Sequence, residues 1–158
     1  TPLINLPHFN KPFPMYFFEM KGIGELFLAT TTPFLFQQLM HMRGIHQNKT
    51  FGIAEAKAYV KSLNGDNKGR TFLKIMRNFE PTQEKEDLYI GTLNQLEVPK
   101  QIVWGMNDRG LKLEAYALPL QKALGLERIS KTPGSHFLQE DYAEKVAEMI
   151  LEQAKDWR

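Results

Sequence analysis

Two segments near the C-terminus carry the residue types best suited to chemistry: Val103-Trp104-Gly105-Met106-Asn107-Asp108 and Pro133-Gly134-Ser135-His136-Phe137-Leu138-Gln139-Glu140-Asp141. Asp108 and His136, 28 residues apart, form an acid–histidine set. An imidazole works as a general base when a carboxylate engages its other ring nitrogen, because that contact selects the tautomer and stabilises the imidazolium that forms. Taken singly, an Asp after a strand is most often a turn or capping residue, and a His in a Pro-Gly-Ser loop is most often a surface residue. The joint pattern is what points to chemistry.

The elements around the pair support it. Gln101–Trp104 has the apolar, β-prone character of a buried strand that breaks at Gly105, and Arg128–Thr132 reads as a second strand. Between them Leu113, Ala117, Leu120 and Leu124 recur at helical spacing and stop at Gly125, with Pro119 either in the first turn or kinking the helix. A final helix is predicted from about Glu140 to Trp157, with Tyr142, Val146, Met149 and Ile150 on one face. Strand, helix, strand, helix is the grammar of a parallel sheet with crossovers, and both candidates then follow the carboxyl ends of adjacent strands, where open α/β sheets bind ligands.

Upstream the signal is different. Leu3–Leu6 is a short apolar run suited to a strand, and from His8 to about Leu96 only helices are indicated. Thr30-Thr31-Thr32-Pro33 starts one that closes at Gly44; Ile53, Ala56, Val60 and Leu63 mark another ending at Asn64-Gly65; Phe72, Ile75, Met76 and Phe79 form a third stripe. A fourth begins at Thr82, a hydroxyl N-cap, and turns Tyr89, Leu93 and Leu96 inward. Phe9 to Phe36 is aromatic-rich and broken by Pro and Gly, which predicts short helices and loops. His41 and His46 follow an apolar helix end, where a positive side chain suits the terminus, so capping is preferred to catalysis for both.

The acid and histidine, with their flanks Trp104-Gly105 and Phe137-Leu138-Gln139-Glu140-Asp141, resemble the last two members of the α/β-hydrolase triad, whose chain order is nucleophile, acid, histidine. The resemblance is to the haloalkane dehalogenase and epoxide hydrolase group, and Asp66 to Glu80 looks like part of the helical cap of its bacterial members. It implies an α/β fold, specifically the C-terminal part of an α/β-hydrolase: a short parallel sheet with flanking helices plus an all-helical cap. Residues 1–8 would be the strand entering the cap, 9–95 the cap, and 96–158 the C-terminal part of the core. Neither Gly-x-Ser-x-Gly nor Gly-x-Asp-x-x-Gly occurs in the 158 residues, so the expectation is that the nucleophile elbow lies upstream of Thr1.

What the resemblance implies for function is hydrolysis of a small apolar substrate, an ester, haloalkane or epoxide, with Asp108 as acid, His136 as base and no cofactor. Asn5, beyond the first strand, and the cap aromatics Phe17, Phe34 and Phe36 are candidate pocket residues. The resemblance makes Tyr16, Tyr59 and Tyr89 candidates for the phenolic acids that epoxide hydrolases carry in the cap, although Tyr59 and Tyr89 fit helix packing better. The isolated chain is expected to be inactive, and to associate with an N-terminal half or with a second copy, as a dimer or by domain swapping. The alternative is a non-catalytic, hydrolase-like binding or assembly protein.

Composition narrows the field. With 20 basic and 18 acidic residues the formal charge is +2, and the basic residues are interspersed with acids, which disfavours a nucleic-acid surface. Cysteine is absent and the four histidines lack ligand spacing, so neither disulfide nor metal site is expected. No apolar stretch approaches the ~18 residues of a membrane span. The reading is a soluble, cytoplasmic protein.

Overall fold

Short helices broken at Gly, Thr and Pro build the first half of the chain. The computed structural model describes residues 15–46 and 51–155. The strand expected at Leu3–Leu6, the candidate Asn5 and the end of the helix expected at Trp157 lie outside the described residues. The chain forms two compact units, one containing residues 15–39 and 51–86, the other 40–46 and 87–155.

In the first unit, α1 (Met15–Glu19) and α2 (Ile23–Thr30) are separated by a turn at Gly22. Glu25 Oε2 accepts the Gly22 N–H at 2.7 Å, satisfying one of the donors that a helix start leaves open. Thr32 Oγ1 caps α3 (Pro33–Leu39) by accepting the Leu35 N–H, so the threonine–proline start signal acts as the sequence suggests. Glu55 reaches back to the Gly52 N–H to open α4 (Ile53–Asn64), and α5 is Arg70–Arg77. Phe18, Leu28 and Leu73 form a core against which Phe27, Phe72 and Met76 pack, with Phe18 edge-on to Phe27 and to Phe72. Phe36 of α3 is buried and stacks on Tyr59 of α4 at 5.6 Å. Across the same unit Arg77 donates to both carboxylate oxygens of Glu25 at 2.8 and 2.9 Å, and this bond is the main reason the Glu25 carboxyl is lowered to about 2. Ile53 and Ile75, expected on inward stripes, are exposed instead. Helices of seven to twelve residues bury only the positions at the centre of each contact.

Helix α6 spans Gln83–Gln95, and Thr82 Oγ1 accepts the Lys85 N–H at its start as the N-cap reading requires. Tyr89 and Leu93 are half-buried, but Leu96 is exposed and outside the helix.

The second unit begins with a π-helix, Met40–Gly44, in place of the simple helix end expected at Gly44. Its sheet is β1 (Val103–Gly105) parallel to β2 (Ser130–Thr132), in the register Val103 opposite Ser130, Trp104 opposite Lys131 and Gly105 opposite Thr132. Between the strands run a second π-helix, Leu113–Ala117, and α7 (Leu118–Ala123), with Pro119 in the first turn of α7 and Gly125 beyond its end at φ 63°. Ile102, Leu113 and Ala117 are the core here, covered by Trp104, Leu120, Leu126 and Ile129. The described chain is thus mostly helix with a short two-stranded parallel sheet, a partial α/β arrangement.

Two expectations are corrected. Gly105 does not break the first strand; it is its last residue, because a position without Cβ lets the backbone of Gly134 and Ser135 close over it. The final helix is two helices, α8 (Leu138–Asp141) and α9 (Ala143–Lys155), interrupted at Tyr142, whose backbone turns to φ −136°, ψ 36°. A one-residue interruption leaves the apolar spacing intact, so periodicity does not register it. Ile150, assigned to the inner face of that helix, is exposed.

Candidate active site

The loops following β1 and β2 are stitched together by their backbones. The Met106 N–H donates to Thr132 O and the Asn107 N–H to Gly134 O, each at 2.9 Å, while the Asn107 amide side chain donates to Pro133 O. These bonds carry the strand pairing past the sheet, so the residue after Asn107 and the loop of His136 are held side by side. On the other flank Thr132, almost fully buried, accepts the Gly134 N–H through its hydroxyl and shapes the Pro133-Gly134 turn.

Asp108 uses both carboxylate oxygens. Oδ1 accepts the N–H groups of Gly110 and Leu111 at 2.8 and 2.9 Å, closing the loop as an Asx-type turn. Oδ2 lies 2.9 Å from His136 Nδ1. The Asp108 side chain is 8% exposed and that of His136 44%. Burial pushes the Asp108 carboxyl up, but the hydrogen bonds from His136, Leu111 and Gly110 together outweigh it, and the net shift is downward. An ionised carboxylate can only accept, so Nδ1 carries the hydrogen and donates to Oδ2. That leaves Nε2 as the basic nitrogen of a ring that is open to a reactant on its exposed side. The Phe137 ring stands edge-on to the imidazole at 5.1 Å.

In sequence this chain is similar to an epoxide hydrolase. The relative is Epoxide hydrolase 1 of Caenorhabditis elegans, 28% identical over 147 residues, which make up 90% of this chain and 35% of the relative. The chain therefore spans about a third of that relative's length. No family model matches the chain, and no solved structure matches it.

The other candidates are dispersed. Phe17 is half-buried and stacks on Phe27; Phe36 is in the helix-packing core with Tyr59; Phe34 is 65% exposed. Tyr16 is exposed and Tyr89 half-buried. His41 lies within the π-helix Met40–Gly44, and the His46 backbone N–H donates to Asp141 Oδ2. Sequence reasoning assigns no role to Asn107, Thr132 or Ser135, yet these three make the side-chain bonds that set the loops. Nothing in their spacing distinguishes them from ordinary turn residues. Among the described residues no helix is long and apolar enough to cross a membrane.

Proposed function

We propose that Asp108 and His136 are the acid and the base of a hydrolase that works through a covalent intermediate on a small apolar substrate. The observation that carries this is the 2.9 Å contact between His136 Nδ1 and Asp108 Oδ2 on neighbouring loops beyond parallel strands. In this reading a Ser or Asp nucleophile, absent as an elbow motif from the 158 residues, attacks the substrate; His136 Nε2 then takes a proton from the water that cleaves the intermediate, and Asp108 stabilises the imidazolium. The relative's name favours an epoxide as substrate, with haloalkane and ester as the other members of the class. In this reading residues 9–95 correspond to the helical cap and 96–158 to the C-terminal part of the core, working with a nucleophile-bearing segment or a second copy.

The test is turnover by the intact protein. Epoxide opening, halide release and ester cleavage are measured separately, with His136→Ala beside the parent. Turnover of one class that disappears in the variant supports the reading. Turnover that survives His136→Ala refutes it, and absence of turnover on all three favours the binding-protein alternative.

A further inference from the structure

Two independent threads of hydrogen bonds converge on the residues either side of His136. The Ser135 hydroxyl, in a residue 5% exposed, lies 3.1 Å from Arg43 O and 3.3 Å from Asn107 O. It has one proton for two carbonyls and shares it between them. The Phe137 N–H donates to Gly44 O at 2.8 Å. Arg43 and Gly44 are the last two residues of the π-helix Met40–Gly44, whose wide turn is closed by the Ile45 N–H on Met40 O. Carbonyls at the end of a helix have no partner within it, and here they take donors from the histidine loop. Such π-type turns recur at functional sites because they redirect backbone groups that a regular helix would consume.

The placement is specific to the pair. Asn107 immediately precedes the acid and Ser135 immediately precedes the histidine, so one hydroxyl links the backbones that carry both side chains and fastens them to a third element. The Phe137 ring, edge-on to the imidazole, also touches this element: a Cβ added at Gly44 would meet Phe137 Cδ2 at 3.0 Å.

Resting on the reading of His136 as the base, we propose that Ser135 is a positioning residue: its buried hydroxyl, bridging Asn107 O and the π-helix carbonyl of Arg43, holds the imidazole in register with Asp108 and so keeps Nε2 the basic nitrogen. It touches neither reactant nor reacting atoms.

The experiment is nitrogen-15 NMR of the histidine-labelled chain, reading the ratio of the Nδ1–H to the Nε2–H tautomer of neutral His136, with circular dichroism to confirm the helix content of each variant. The parent should be mainly Nδ1–H. Ser135→Ala should lower the ratio about three- to tenfold, the equilibrium equivalent of one net hydrogen bond. A folded Ser135→Ala protein whose ratio stays within about twofold of the parent overturns the proposal. If Ser135→Ala does not fold, Gly44→Ala decides: its methyl meets Met40 Sδ at 2.8 Å and Phe137 Cδ2 at 3.0 Å and leaves the hydroxyl in place, so the ratio should fall here too, and an unchanged ratio overturns the tie to the π-helix. Asp108→Asn separates the two readings. A ratio that Asp108→Asn lowers but Ser135→Ala does not removes only the role of Ser135; a ratio that Asp108→Asn leaves unchanged removes the acid–base pair itself.

Discussion

Replacing Asp108 by asparagine and by alanine separates its two jobs. The amide introduced by Asp108→Asn keeps an oxygen for the Gly110 and Leu111 N–H groups but turns an NH2 toward His136 Nδ1, whereas alanine removes every acceptor. A hydrogen bond to a charged group contributes about 1.5–3 kcal/mol when sheltered. His136 is nearly half exposed, so solvent screening reduces the ion-pair part, and Asp108→Asn should cost about 1 kcal/mol. Alanine also leaves the Leu111 N–H unpaired in a half-buried position while water reaches the exposed Gly110, adding about 1 kcal/mol more. At roughly 2–4 °C per kcal/mol for a chain of this size, the melting temperature should fall by about 3 °C and about 6 °C respectively. Activity should order differently. In triad hydrolases the acid-to-amide change lowers kcat about 10⁴-fold through the wrong tautomer, so under the proposed function the variant milder in stability should be nearly dead in the intact protein.

The pH dependence has a definite sign. The Asp108 carboxyl is lowered in the folded chain, so its contribution is complete above the ordinary value of 3.8 and is lost as pH falls through the lower folded value. The stability gap between parent and Asp108→Asn, followed by urea unfolding at a series of pH values, should close as pH falls below about 4. Equal stability of the Asp108→Asn and Asp108→Ala variants would refute the loop-closing role of Oδ1, and a gap that does not shrink in acid below about pH 4 would refute the ionised, hydrogen-bonded carboxylate.

Gly105→Ala should destabilise by about 1–3 kcal/mol, because its Cβ would lie 2.7 Å from Gly134 O and must push the histidine loop away; loss of the Asp108–His136 tautomer preference should accompany it in the same NMR spectra. Leu73→Ala should cost about 3 kcal/mol by urea unfolding, since Leu73 is 2% exposed between Phe18 and Leu28, while the exposed neighbour Ile75→Ala should cost under about 1. Self-association is expected at tens of micromolar, because a two-stranded parallel sheet is normally covered on both faces and α9 exposes Ile150 and Leu151; a monomer by light scattering at that concentration would refute it.

Much of this is legible from local pattern. Threonine before proline, a hydroxyl at position 82 and glycine at 65 and 125 encode their turns and caps within four residues, and the helix limits in the structure fall close to those signals. Asp108 and His136 are legible for a similar reason: each follows a strand by a few residues, and parallel pairing of those two strands is enough to bring the loops together. What stays hidden depends on sequence separation. Ser135 meets Arg43 across 92 positions, and no property of a serine in a Pro-Gly-Ser loop says that its hydroxyl will be buried against a helix end. The π-helix is hidden too, since Leu35, Leu39 and Met42 keep an ordinary i, i+4, i+7 helical spacing while the backbone widens over Met40–Gly44.

That division bears on how the pair works. Strand pairing and the Met106 and Asn107 bonds bring Asp108 and His136 into the same neighbourhood, and the Ser135 hydroxyl adds a tie from their loops to a third element. A general base needs its tautomer fixed before the reactant arrives. In this chain the additional constraint comes from carbonyls nearly a hundred residues earlier, so the precision of the pair is set by an element that shares neither its strands nor its loops. Substitutions near Gly44 should therefore change the histidine without touching it, and they should do so before they change the sheet.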